Sequence, residues 1–591
     1  MTADARDPSA LPPAAQPVPP ESWAEPALGL PAAGAAAQTV RRLIVFILLF
    51  VLVTVAAIGL SGLLGRLFEG IPGDLPGGVD ALAGDATSGL ASSLAFTLIG
   101  GPLAALLWWF VWRRAADPGE RAALTWGLYV AGMSTVALIT ASTALLATVA
   151  ALVDGQWRPR ELGTGLVWAA VWVWHTRIPG HPVKSPRRLV TVALVIGGVY
   201  GLVVAAANAV SLLSSLFEVA LQDAAQTMVG GPWWASVLKA LVWLVGATLI
   251  WWWYWSRLGA RLVATNFAAV VLVLVGVLGA SLLALGGFGV LLYLLLRLAF
   301  DRVEPVAELL DPAPAALAAA LVGLLVWLYH RGIAESRSRA TRQAGRLVTS
   351  AAGLAASASG IGILVNSILA VFGDPLAGGD LRPLLLGGIS SLVIGGPVWW
   401  FSWRPLQRTE PRERAFPGRR VFLITVFGLS AVVAIVALLI IGFQVFEFVL
   451  GPAIVGSLVE RVRAPLGVLV ATTLVAGYHF GVWRADRVAI AADAPARPRT
   501  IARVTLVVGP SPGMPGTDPA ELVDAAREAT GAQVTVWRVA GPGEASAAPS
   551  DGMTMSVSAA DLAQALSGVT GNRVLVICGP STRIEVIPLA D

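Results

Sequence analysis

His175, His330 and His479 each close an apolar run and each follows an aromatic residue. The stretches are GLVWAAVWVWHTRI (Gly165 to Ile178), LVGLLVWLYHRGI (Leu321 to Ile333) and TLVAGYHFGVWR (Thr473 to Arg484). Imidazole changes charge near neutral pH and is the commonest metal ligand. One histidine from each stretch could therefore build a shared metal or pH-sensing site. Ligation requires ring nitrogens about 2 Å from a single ion, and nothing in the spacing makes the three stretches converge. The expected role is anchoring. The imidazoles would sit at headgroup level, half apolar and half wet, against Trp174, Tyr329 and Tyr478. Arg177, Arg331 and Arg484 would then lie at lipid phosphate depth.

Other polar residues suggest packing rather than catalysis. Asn208 and Asn366 each fall 20 residues past an arginine, Arg188 or Arg346, and Ser61 is near the corresponding place further upstream. An amide repeated in register predicts hydrogen bonds between helices near the outer interface. Lys239 is the one ionisable residue expected inside a span, close enough to an end to snorkel outward. No H-E-x-x-H, Walker pattern or catalytic carboxylate pair occurs. The single cysteine, Cys578, excludes an internal disulfide and reads as a small buried residue ending a strand. No catalytic residue, cofactor site or metal set is expected.

The elements that must carry these residues are membrane-spanning helices. The chain is 56% hydrophobic and 13% charged, with mean hydropathy +0.75, against about 25% charged in an ordinary soluble domain. Twelve spans are predicted: 43–65, 90–112, 122–150, 162–176, 188–216, 233–256, 262–285, 314–330, 347–372, 383–403, 421–446 and 465–483. Leu262 to Phe300 is too long for one upright helix. A break at Gly286-Gly287 is expected there, with a long tilted helix as the rival reading. Small-residue stretches such as AAGLAASASGIG from Ala351 and GLSGLLG from Gly59 predict close helix packing.

The spans fall into three sets of four. First helices open on arginine, as RRLIVF at Arg41, RRLVTV at Arg187 and GRLVTS at Gly345. Second helices end in paired tryptophans and arginine: LLWWFVWRR from Leu106, IWWWYWSR from Ile250, VWWFSWR from Val398. Fourth helices end in the histidine stretches, which lie 155 and 149 residues apart. Arginine-rich loops follow the even-numbered spans, among them Arg113, Arg114 and Arg121, then Arg257 and Arg261, then Arg404 and Arg408. The opposite loops are acidic or mixed, for example Glu69, Asp74, Asp80 and Asp85. The positive-inside bias places both termini in the cytoplasm and the tryptophans in an aromatic belt on that side. The basic residues are scattered over loop ends, which argues against nucleic acid. These motifs resemble the bacterial membrane family described as domain of unknown function 5671, over about residues 40–485 as three tandem copies. The third copy departs from the pattern at AGYHFGVWR. The resemblance implies a membrane protein and no mechanism.

The expected organisation is a disordered cytoplasmic tail (1–38), membrane repeats at 39–182, 183–335 and 336–487, a linker (488–500) and a cytoplasmic α/β domain (501–591). In that domain RVTLVVGPS from Arg503 and RVLVICGPS from Arg573 read as buried strands with matching turns. ELVDAAREATGAQVTV at Glu521 and DLAQALSGVTGNRVLV at Asp561 repeat at an offset of 40. Helix starts are expected at Asp518-Pro519 and at Ser558, whose capping box would include Asp561. The order β-α-β-β-α-β-β suggests a ferredoxin-like sheet. The glycine-rich loop Gly509 to Pro519 reads as a turn rather than an anion site. The whole chain reads as an all-α polytopic protein of the bacterial inner membrane with a small α/β domain. Its expected role is a non-enzymatic scaffold or sensor that meets the lipid bilayer and, through 501–591, a cytosolic protein. A transporter or channel for an uncharged or lipidic solute is the alternative.

Overall fold

The computed structural model describes residues 31–70, 83–221, 232–301, 303–372, 381–408, 414–451, 457–493, 501–508, 519–538, 558–567, 569, 571–578 and 584–589. The expected tail up to residue 30, the loop residues 509–518, and Asp74 and Asp80 lie outside them. The chain forms two compact units, Met1–Gly481 and Val482–Asp591.

The first unit is helical. Its helices are α1 (Pro31–Glu69), α2 (Thr87–Arg114), α3 (Leu124–Val153), α4 (Pro159–Arg177), α5 (Val192–Leu221) and α6 (Trp233–Arg257). They continue as α7 (Asn266–Phe300), α8 (Val306–Ser336), α9 (Arg339–Ala370), α10 (Arg382–Gln407), α11 (Pro417–Leu450) and α12 (Leu458–Asp493). Eleven helices among the described residues are long and apolar enough to cross a membrane, a set compatible with a multi-pass membrane protein. The helix expected at 162–176 exists as α4 but is not one of the eleven. Arg160 and Glu161 at one end and His175 and Arg177 at the other leave a short apolar stretch. At 1.5 Å per residue that stretch covers about 20 Å of a roughly 30 Å hydrocarbon core.

Five further expectations change. Residues 31–38 of the expected tail already belong to α1, and residues 488–493 of the expected linker continue α12. There is no break at Gly286-Gly287: Asn266 to Phe300 is one continuous helical element with a π-helical segment at Leu272–Gly279. Gly287 lies against the backbone of Ala316 and Ala320, where a Cβ would collide, so its role is to let α7 and α8 touch. An unbroken helix is what a bilayer would require, since lipid offers broken backbone groups no water. The last two changes concern the α/β domain, described below.

The paired tryptophans divide between inside and outside. Trp108, Trp251 and Trp399 turn toward neighbouring helices, while Trp109, Trp252 and Trp400 are exposed. Adjacent residues on a helix are about 100° apart, so a pair cannot share one surface. Between helices the contacts are close. A Cβ on Gly353 of α9 would lie 2.5 Å from the Trp399 backbone nitrogen of α10. Ser142 of α3 meets Tyr200 of α5 at 2.8 Å, and the Trp172 indole of α4 donates to the Tyr254 hydroxyl of α6 at 2.8 Å. α7 in turn packs on α9 and α10.

The second unit carries a four-stranded sheet: β1 (Ile501–Val508), β2 (Gln533–Arg538), β3 (Gly571–Cys578) and β4 (Ile584–Leu589). Its order is β2-β1-β3-β4, with β1 parallel to both β2 and β3 and β4 antiparallel to β3. The ferredoxin-like expectation is therefore corrected, since that sheet would not place two parallel neighbours on either side of the first strand. Each helix, α13 (Pro519–Thr530) or α14 (Ala559–Leu566), is a crossover that returns the chain parallel to β1. The extra strand of the expected order would fall in 539–557, outside the described residues. The offset of 40 is kept in the register: Val504 pairs with Val534 on one side and Val574 on the other. The strands are not buried on both faces. Val504, Leu506, Val574 and Val576 form one cluster with Leu522, Ala526, Leu562 and Leu566, whereas Trp537 is 63% exposed. Ser558 and Asp561 form the expected capping box. Cys578 is buried in the cluster, and burial pushes its thiol up.

Candidate functional site

The three histidines occupy three equivalent nodes, each made by the helix that carries the histidine and by a tryptophan-rich helix. His175 of α4, His330 of α8 and His479 of α12 are 3%, 2% and 0% exposed. They are inside the protein rather than half wet. The helix supplies the reason. In each case Nδ1 lies 2.8–2.9 Å from the carbonyl four residues back, Val171, Val326 or Val475. A carbonyl only accepts, so Nδ1 carries a proton, and in the neutral ring Nε2 then presents a lone pair.

Around that shared element the nodes differ. His175 Nε2 accepts from the Tyr129 hydroxyl of α3 at 3.2 Å, and Trp108 meets the imidazole edge-on, 5.6 Å between centroids. His330 lies 5.6 Å from Trp255, whose indole N–H donates to the Tyr329 hydroxyl at 2.9 Å. His479 lies 5.5 Å from Trp403, which donates to Tyr478 at 2.8 Å. Gln407 donates to the same hydroxyl at 2.6 Å, and the Arg419 guanidinium stands 5.5 Å over the Trp403 ring and donates to the Leu406 carbonyl. Nε2 of His330 and of His479 has no partner among the described residues.

Each histidine packs on a tryptophan from the preceding tryptophan-rich helix, and the three do not converge. Among the described residues no group of three His, Cys, Asp or Glu side chains could hold a metal ion. Each imidazole is tied to its own helix through Nδ1 and enclosed by aromatic rings. A valine stands four residues before each of these three histidines, in VWVWH, VWLYH and VAGYH, although the bond itself needs only its backbone carbonyl.

The asparagines do not do what their spacing suggested. Asn208 donates to Val204 of its own helix at 2.8 Å rather than across helices. Nδ2 reaches the carbonyl one turn back with no approach by a second helix. Asn366 sits where α9 meets Gly467 of α12, with its Oδ1 buried and unpartnered among the described residues. Ser61 is buried with its hydroxyl in the same state. Lys239 pairs with Asp154 at 3.1 Å. Arg297 was missed: it is 8% exposed and bonds Asp301 at 2.9 Å and Glu304 at 3.1 Å at the end of α7. Its i,i+4 acid, in RLAFD, was the available signal.

A helical architecture of this kind, built from recurring tryptophan–histidine nodes, is that of a repeat protein. The chain belongs to the family described as Domain of unknown function (DUF5671), which matches it in three tandem copies, at residues 42–179, 191–315 and 343–478. His175 lies inside the first matched stretch, while His330 and His479 lie past the ends of the second and third. No curated protein and no solved structure matches the chain.

Proposed function

We propose that the chain is a non-enzymatic scaffold or sensor of the bacterial cell (inner) membrane, with both termini cytoplasmic, whose α/β domain meets a cytosolic protein. One observation carries this reading. Every Asp, Glu, Lys and Arg in the eleven spans lies within seven residues of a span end. Ionisable groups near the middle of spans mark ion paths and proton relays, so this distribution favours a bundle that holds rather than conducts. The nodes agree with it, because they use histidine for packing. The arginine-rich loops support the orientation. The half-open sheet, with Trp537 on its exposed face, supports a protein partner.

The test is solute flux. Proteoliposomes carrying the full chain should take up glycerol, urea and alanine no faster than empty liposomes. Protein-dependent uptake of any of them would replace the scaffold with the transporter reading.

A further inference from the structure

Two cavities lie along α9 and α10, the first bordered also by α7 and α8 and the second by α7. The first is an open cleft lined by Arg331, Arg342 and Arg346 together with Trp327, Thr349 and Ser402. The second, also open, is lined mostly by aliphatic residues and glycine, with Pro383, Tyr293 and three serines. Their linings adjoin along α9 and α10, and the two together are called the trough. On α9 the first is bordered at 342, 345, 346 and 349 and the second at 352, 356, 359 and 363, a single face at helical spacing. α10 repeats this, with 384, 387, 391 and 394 on the second and 398, 401 and 405 on the first.

The ends have opposite character. Arg331 is paired with Glu335 at 2.9 Å, which neutralises the one acid in the pocket. Arg342 and Arg346 make no ion pair or side-chain hydrogen bond among the described residues. The pocket thus keeps two unneutralised guanidiniums, a geometry that suits phosphate oxygens. In the groove, Ser390 donates to the Gly289 carbonyl at 2.6 Å and Ser391 to the Ala356 carbonyl at 2.7 Å. With those hydroxyls occupied by backbone, the groove presents mostly hydrocarbon.

We infer that this trough binds an anionic phospholipid, its phosphate held by Arg342 and Arg346 and an acyl chain lying in the groove beneath. The charge matches the head and the apolar wall matches the tail. The length matches both: Arg346 to Ile363 covers about 26 Å of helix, enough for a headgroup and the chain of one leaflet in a roughly 30 Å core. Basic pockets between spans are where acidic headgroups bind. The inference rests on the membrane-spanning character of the helices and not on the choice between scaffold and transporter.

The test uses the full chain in phosphatidylcholine nanodiscs and reads energy transfer from tryptophan to trace pyrene-tailed phosphatidylglycerol or phosphatidylcholine. Phosphatidylglycerol should be preferred, and Arg342→Gln/Arg346→Gln should lower its apparent affinity roughly 30-fold. Neither arginine has a side-chain partner to lose among the described residues, so the variant should fold. Arg113→Gln/Arg114→Gln, which removes equal charge elsewhere, should leave the preference intact. Ser359→Trp should block the groove and reduce binding with every arginine present. Millimolar inorganic phosphate should not compete. Equal loss in both arginine pairs would mean general surface attraction and would overturn the site. Competition by phosphate, or full binding to Ser359→Trp, would mean a free-anion pocket and would overturn the lipid.

Discussion

α3 in the first copy and α11 in the third are comparably apolar, yet they live in different surroundings. Of their apolar stretches, 39% is buried in α3 and 6% in α11. α3 buries small residues such as Gly127, Ala131, Ser134, Ala137 and Ala141 and also the large Trp126, Tyr129 and Met133. α11 presents Ile424, Leu429, Val432, Ile435, Leu439 and Phe443 outward, and its described buried residues are Arg419, Leu423 and Ala437. In lipid no hydrophobic drive pulls one apolar helix to another, so the fit of facing side chains decides which helices pack. Hydropathy finds a span; what its side chains meet says whether it belongs to the core.

The largest effect should come from two Gly-Leu sites. At Gly127 a Cβ would collide with the Arg188 carbonyl, whereas at Gly428 of α11 nothing lies within 4 Å. Gly127→Leu should cost roughly 3 kcal/mol or more by overpacking against backbone, and Gly428→Leu less than about 0.5 kcal/mol. Thermal unfolding of the detergent-solubilised chain, followed by size-exclusion fluorescence, measures both. Similar losses would erase the distinction between the helices.

A middle-sized effect separates the nodes. α3 gives the Tyr129 hydroxyl to His175, while α11 gives His479 only the Phe422 ring, 6.1 Å away. Tyr129→Phe leaves His175 Nε2 unpaired, the state in which His479 stands among the described residues, and should cost about 1 kcal/mol in the same assay. No measurable change would show that the hydroxyl adds nothing to the node.

The smallest concerns the end of α3. Lys239 and Asp154, 39% and 36% exposed, bridge α6 and the residue after α3. Solvent screening limits such a pair to at most about 1 kcal/mol. Lys239→Ala should therefore lower the unfolding temperature slightly at low salt and not at high salt. A loss that persists in salt would show that Lys239 contributes by packing.

Much of the architecture was legible because bilayer thickness converts directly into apolar length. Eleven helices fall where runs of valine, leucine and alanine put them. The three copies were legible through arginine, tryptophan and histidine at repeated positions. The offset of 40 in the α/β domain survives as register, since duplicated strands pair with β1 at the same residues. The site was legible only in outline. His175, His330 and His479 were found by type and spacing, but their depth was misread because an arginine nearby marks the membrane boundary without saying which way the imidazole turns.

What the sequence determined alone is what depends on one chain segment at a time: which stretches are apolar, where charge stops them, and which segments are copies. What only the tertiary structure decided depends on neighbours. It set the continuous α7, whose Gly287 is a contact rather than a break. It turned Asn208 back onto its own helix and closed three histidines behind tryptophans. It also brought the two faces of α9 and α10 together into one trough, basic at one end and apolar at the other. The physical reason is common to all of these. Hydrogen bonds and van der Waals contacts act over a few ångströms between residues far apart in the chain, so helix-to-helix registry decides them and local composition does not.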